Sequence, residues 1–224
     1  MKKGKLIVAD GTDGSGKATQ VARMVKELRK LGYKVKTIDF PGYKRNFFGG
    51  MIRQYLDGKF GTESEVNPYL ISTWYANDRL EDKPRIEKWL SEGYIVIADR
   101  YASSNAIHQG GKIKGKKKRE KFLAWLDEME FKVNKIPKPH AIIYLDMPIE
   151  FSAQLLEKRL AGEKKKRTKK DIHESDKNHL NNARKSAMDI IKGSNEWISI
   201  NCVENGEVLP KKEITKMILE KLKF

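Results

Sequence analysis

Residues 6–28 confine this chain more than any other stretch. A short apolar run, Leu6 to Ala9, leads into Gly11-Thr12-Asp13-Gly14-Ser15-Gly16-Lys17-Ala18-Thr19-Gln20. Val21, Met24, Val25 and Leu28 then follow at helical spacing. A buried strand, a glycine-rich turn and an amphipathic helix in that order open a βα unit. The glycines let the backbone curl so that successive N–H groups face one anion. The helix N-terminus adds partial positive charge, and Lys17 can reach outer phosphates. The strict phosphate-loop pattern asks for Ser or Thr after the lysine, but Ala18 stands there. Water, Thr19 or a carboxylate from another strand must then complete the shell of a Mg²⁺ ion.

Four further runs rich in β-branched or large apolar residues recur: Val35 to Phe40, Tyr94 to Ala98, Ala141 to Leu145 and Trp197 to Ile200. Segments of helical period separate them, which predicts an α/β fold, a five-stranded parallel sheet flanked by helices. Gly32 marks the end of the first helix. Later helices are expected over Leu70–Leu80, Lys83–Ser91, Glu120–Glu130, Ile149–Ala161, Ser175–Lys192 and Lys211–Leu222. With neither an internal repeat nor a linker, residues 1–224 read as one domain.

No apolar stretch approaches the roughly 18 residues of a membrane span, and Met1-Lys2-Lys3-Gly4 leads into no long hydrophobic region, so a cytoplasmic protein is expected. Cys202, the only cysteine, cannot form an intrachain disulfide. The formal net charge is +16, which invites a nucleic-acid reading. Lys112 to Arg119 (KIKGKKKR) and Lys164 to Lys170 (KKKRTKK) hold six basic residues each and no acid, and without them the charge falls to +4. The first run reads as a lysine-rich surface loop.

The third strand run ends Ile97-Ala98-Asp99-Arg100-Tyr101. That puts a carboxylate and a guanidinium at the carboxyl edge of a parallel sheet, where such folds bind ligands. Asp99 can hold Mg²⁺ directly or through water. Arg100 can bridge donor and acceptor phosphates.

The sequence GK-x-TQ without a hydroxyl at x resembles the nucleoside monophosphate kinases of the phosphate-loop class. Five motifs narrow this further: DGTDGSGKATQ (Asp10 to Gln20), FPGY (Phe40 to Tyr43), YANDR (Tyr75 to Arg79), DRYASSNAIHQGG (Asp99 to Gly111) and DIHE (Asp171 to Glu174). In this order they resemble the thymidylate kinase family. The resemblance implies transfer of the ATP γ-phosphoryl group to dTMP, giving dTDP and ADP on the way to dTTP, with Mg²⁺, in a homodimer. It assigns ATP to Gly11, Asp13, Gly14, Ser15, Gly16, Lys17, Ala18, Thr19 and Arg159. Asp13 would take the 3′-hydroxyl or a metal-bound water. Phe40, Pro41 and Tyr43 would wall the sugar and 5′-phosphate. Tyr75 would stack on thymine, Arg79 would bond its O4, Asn105 would read the base edge with Gln109 nearby, and His108 would lie against the deoxyribose. By analogy Val203-Glu204-Asn205-Gly206 would form part of the adenine pocket.

A mobile basic lid over about residues 160–173 would exclude water and neutralise the transferring phosphoryl. Thymidylate kinases place a catalytic arginine in the phosphate loop or in the lid. Gly14 occupies the loop position, so the lid is expected to supply it, yet the family's lid arginine position is Ile172. Arg167 is the substitute, with Lys166 and Lys170 as rivals, and Glu174 should lie near the acceptor. Lys17, Arg100, Arg159 and Arg167 are thus the expected catalytic cations. Two other activities compete: a kinase for another pyrimidine nucleotide such as dUMP or UMP, and a nucleic-acid-dependent ATPase. The latter would need a second-strand acid motif that this chain lacks, and neither nucleic acid nor a membrane is an expected partner.

Overall fold

A computed structural model describes residues 4–61, 65–162 and 177–223, and for residues 158–162 and 177 only the backbone. Five strands, β1 (Lys5–Asp10), β2 (Val35–Asp39), β3 (Ile95–Asp99), β4 (Ala141–Asp146) and β5 (Trp197–Asn201), pair in the order β2-β3-β1-β4-β5. Every pair in this sheet is parallel. The strands alternate between two cores. Ile7, Ala9, Ile95, Ile97, Ile143 and Leu145 face α1 (Lys17–Lys30) and α8 (Lys211–Leu222), which contribute Met24, Leu28, Ile214 and Ile218. Leu6, Val8, Val96, Ala98 and Ile142 face the other way, toward Ile86, Trp89 and Leu90 of α3 (Pro68–Ser91). Burial on both faces is why these strands read as continuous apolar runs. On that second side Ala183 and Ala187 of α7 (Lys177–Ile191) pack on Tyr144.

Three local features differ from the sequence expectation. Leu70–Leu80 and Lys83–Ser91 are one helix, α3, that runs through Pro84. Proline costs the bond to the carbonyl of Leu80, but Ile86 behind it is fully buried against the sheet. Packing outweighs the lost bond. A further helix, α2 (Phe47–Leu56), precedes α3. The run Lys112 to Arg119 is a loop only in its first half, because α5 (Lys116–Asp127) starts after Gly115 and carries Lys116 to Arg119 in its first turn.

Residues after β3 form α4 (Ala102–Ser104), which continues into a π-helical turn, Asn105–Gln109. α5 likewise runs on into a π-helical stretch, Glu128–Val133. α6 (Ile149–Gly162) follows β4, and the hairpin of β6 (Val203–Glu204) and β7 (Glu207–Val208) precedes α8. Among the described residues, no helix is long and apolar enough to cross a membrane.

Candidate active site

The parallel register brings three strand ends together. Asp99 is level with Ala9 of β1 on one side and Asp39 of β2 on the other. A cleft of about 520 Å³ opens above them, lined by the phosphate loop from Asp13 to Thr19, by Phe40, Pro41 and Tyr43, and by Asp99 and Arg100. Its far wall is apolar, with Leu155 and Leu156 of α6 and Val208, Leu209 and Ile214. Val203 to Gly206, expected beside adenine, are not in this lining, whereas Val208 and Leu209 just past them are.

The loop is shaped for an anion. Gly14 has φ 81°, and a Cβ there would lie 2.2 Å from the carbonyl oxygen of Ser152. No side chain, and so no arginine, fits at this position. The buried hydroxyls of Thr12 and Ser15 have no hydrogen-bond partner among the described residues, and Ser15 lines the cleft. Lys17 donates to the carbonyls of Gly11 (3.0 Å) and Thr12 (2.9 Å). Burial, and then the nearby Arg100 charge, push its ammonium down to about 8. Bound phosphates would reverse that shift.

Arg100 has φ 66°, an uncommon conformation for a residue other than glycine. Its backbone N–H donates to the Ala9 carbonyl. Its guanidinium donates to Asp13 at 2.6 Å, to Ser104 at 3.3 Å and to His108 Nε2 at 2.9 Å. Burial opposes this charge, but Asp13, Asp10 and Asp99 outweigh it and hold the pKa above the usual arginine range. The Asp99 carboxylate makes no hydrogen bond or ion pair among the described residues, though its backbone carbonyl accepts from the Phe40 N–H at 3.0 Å. Burial raises its pKa against the opposing pull of Lys17 and Arg100. Among the described residues no three His, Cys, Asp or Glu side chains gather as a metal site. One desolvated carboxylate beside a phosphate cleft fits Mg²⁺, which keeps several waters and is held largely by substrate oxygens.

Tyr75, Arg79, Asn105, His108 and Gln109 are not in the lining of that cleft. Tyr75 packs against the cluster of Ile52, Tyr55, Leu56 and Ile71, as does Tyr43. Arg79 is buried and forms an ion pair with Glu130, with a further bond to the Tyr101 carbonyl. Asn105 is buried and donates its amide to the Ser72 carbonyl at 3.2 Å, which turns Oδ1 into the free acceptor. Gln109 is buried, and its Oε1 has no hydrogen-bond partner among the described residues. Arg159 belongs to α6, but its side chain lies outside the described residues, as do Lys166, Arg167, Lys170, Ile172 and Glu174 entirely.

Three acids that hold the site together were not singled out from sequence. Asp10 is fully buried and accepts from the Gly11 N–H, Ser103 (2.6 Å) and Ser104 (2.9 Å). Asp78 accepts from the Gly42 N–H at 3.0 Å and from Asn46 at 2.9 Å, tying the FPGY loop to α3. Glu130 holds Arg79. A polar residue ending an apolar strand flags Asp10, and the helical spacing of Asp78, Glu81 and Asp82 flags an acid stripe. Nothing local flags Glu130.

Comparison with known proteins sets this geometry in a family. The family model described as thymidylate kinase matches residues 9–214. The chain is 29% identical to the thymidylate kinase of Homo sapiens over 68% of this chain and 66% of that one. It is 31% identical to the thymidylate kinase of Mycobacterium tuberculosis over 66% of this chain and 69% of that one. With the thymidylate kinase of Plasmodium falciparum the identity is 26%, over 100% of this chain and 95% of its relative. Among solved structures, a thymidylate kinase from Candida albicans superposes with a TM-score of 0.74 at 19% identity, covering 99% of this chain and 92% of that one. Since the family match runs from the end of β1 into α8, the chain belongs to the thymidylate kinase family of phosphotransferases.

Proposed function

We propose that this chain transfers the γ-phosphoryl group of ATP to the 5′-phosphate of dTMP, releasing dTDP and ADP. The observation that carries this reading is the convergence of Lys17, Arg100 and Asp99 on the lining of one cleft at the carboxyl edge of the sheet. An oxygen of the acceptor phosphate attacks the γ-phosphorus in line, and the bond to the β,γ-bridging oxygen breaks. No covalent enzyme intermediate is needed, because the step asks for positioning and charge neutralisation. Lys17 and the loop N–H groups hold the donor phosphates. Arg100 spans donor and acceptor, and Arg159 and Arg167 complete the cations over the transferring group. Asp99, directly or through water, would hold Mg²⁺, which would supply neutralisation of phosphate charge.

On the acceptor side, Tyr75 stacks on the base, Arg79 bonds O4, and the free Oδ1 of Asn105 suits the N3–H of thymine. Phe40, Pro41 and Tyr43 flank the sugar, and Glu174 lies near it. Asp13 holds Arg100 and reaches the 3′-hydroxyl or a metal-bound water. A homodimer is part of the same proposal, supported by large apolar side chains left exposed around α2 and the start of α3: Phe47, Phe60 and Leu70.

ATP labelled at the γ-phosphorus tests this reading. The label should pass to dTDP only when dTMP is present. Release of inorganic phosphate at a rate indifferent to dTMP would contradict it.

A further inference from the structure

Glu130 closes one edge of the Arg79 guanidinium. Its two carboxylate oxygens accept from Arg79 Nε, at 3.3 Å, and from Arg79 Nη2. Both residues are 1% exposed, so the pair lies in the interior. Glu130 belongs to the π-helical stretch that ends α5 and lines no part of the phosphate cleft. Two ties fix the backbone around it. Lys83 of α3 donates to the Asn134 carbonyl at 3.1 Å, and the Tyr101 hydroxyl donates to the Pro137 carbonyl at 3.2 Å.

A guanidinium has five N–H donors and no acceptor. Glu130 takes the Nε–H and one N–H on Nη2, and the Tyr101 carbonyl takes one on Nη1 at 3.4 Å. Among the described residues, one N–H on each Nη is left unclaimed. Donors buried in that state are costly unless a ligand accepts from them. With Glu130 on the Nε side, only the Nη edge can face that ligand. Two such donors suit a carbonyl oxygen and oppose an amino group, so they admit a 4-oxo pyrimidine and reject a 4-amino one. The base-reading asparagine is anchored to the same helix face: Ser72, whose carbonyl takes the Asn105 amide, lies two turns before Arg79 on α3.

We propose that Glu130 is a positioning residue that determines specificity. By fixing which edge of Arg79 faces the acceptor base, it sets the preference for a 4-oxo over a 4-amino pyrimidine. This rests on the function proposed above, in which Arg79 bonds the base O4. The orientation of the guanidinium itself is independent of which nucleotide is phosphorylated. A pair that served stability alone would leave the choice of base untouched.

The test uses the full chain labelled with ¹⁵N and the variant Glu130→Gln, assayed below its melting temperature. Glutamine keeps the size, but its carbonyl can take only one of the two N–H groups, and its own NH₂ then faces the other. The guanidinium must turn. KM for dTMP should rise about 10- to 100-fold, the scale of one hydrogen bond to a charged group, with a smaller change in kcat. The ratio of kcat/KM for dTMP to that for dCMP should fall about 10-fold or more. In the unsubstituted protein the Arg79 Nε–H should give a slowly exchanging ¹H–¹⁵N signal that dTMP leaves in place, while Nη protons should become slow to exchange only when dTMP binds. An unchanged dTMP-to-dCMP ratio in folded Glu130→Gln would overturn the proposal. So would loss of the Nε–H signal on adding dTMP, or an unsubstituted protein that phosphorylates dTMP and dCMP equally well. Should the glutamine variant fail to fold, the guanidinium signals and the nucleotide ratio of the unsubstituted protein still decide. An unsubstituted protein that phosphorylates no pyrimidine nucleotide would refute the function proposed above and leave the Nε–H result standing.

Discussion

Arg100 and Lys17 approach the same cleft in opposite electrostatic circumstances. Three carboxylates secure the arginine charge, whereas burial and Arg100 itself bring Lys17 to about 8. Replacing Arg100 by alanine should lower kcat by about 10²- to 10³-fold, the range found when one transition-state charge partner is removed. Circular dichroism should show the fold retained, with the melting temperature lowered by loss of the Asp13 pair; near-normal kcat would rule out its assigned role. Lys17 gives a pH signature. It must be charged to receive ATP, and in the free enzyme it loses its proton as pH rises through about 8. Thus kcat/KM for ATP should fall above that pH, while kcat, which reports the complex in which phosphates restore the charge, should stay flat over the same range. A kcat/KM that is level to pH 10 would contradict the burial seen at Lys17.

The elements show where sequence reading succeeds and where it stops. β1, β3 and β4 are legible because both faces are buried and the runs are almost uniformly apolar, while the edge strands β2 and β5 are only partly buried and are legible from their β-branched and large apolar residues. α2 is not legible in the sequence, because Gly49-Gly50 breaks its helical propensity. In the fold, a Cβ at Gly49 would lie 2.3 Å from the Gly42 carbonyl oxygen, so glycine is what lets α2 sit on the FPGY loop. The site divides in the same way. The phosphate loop and Asp99-Arg100 are contiguous motifs, legible from spacing. The partners that hold them are remote in sequence: Ser103 is 93 residues from Asp10, Asp78 is 36 from Gly42, His179 is 71 from His108 and Glu130 is 51 from Arg79. No spacing rule reaches those pairs. The Arg79–Glu130 pair, almost fully buried on both sides, joins α3 to the π-helical end of α5. Glu130→Ala should strand the guanidinium and cost about 3–5 kcal/mol, lowering the thermal midpoint by roughly 10 °C. The double variant Arg79→Met/Glu130→Leu should recover most of that stability but not affinity for dTMP. A single variant that melts like the unsubstituted protein would show that the pair does not bridge the two elements.

Over the whole molecule, the excess of +16 resolves into local features. Within Lys112 to Arg119, Lys112 donates to the Tyr55 hydroxyl at 3.1 Å and Arg119 pairs with Asp189 at 2.8 Å, so part of this run joins elements. The exposed Leu70 gives the proposed homodimer its test: sedimentation should report about twice the 25.8 kDa chain mass, and Leu70→Glu should shift the population to monomer. A monomer without the substitution would refute that surface. The central claim, that this cleft phosphorylates dTMP at the expense of ATP, is tested most directly by one coupled assay of ADP release across dTMP, dUMP, UMP and dCMP, run with and without DNA. The account predicts the highest kcat/KM for dTMP and no response to DNA. ADP release that DNA stimulates, or that another nucleotide supports better than dTMP, would contradict it.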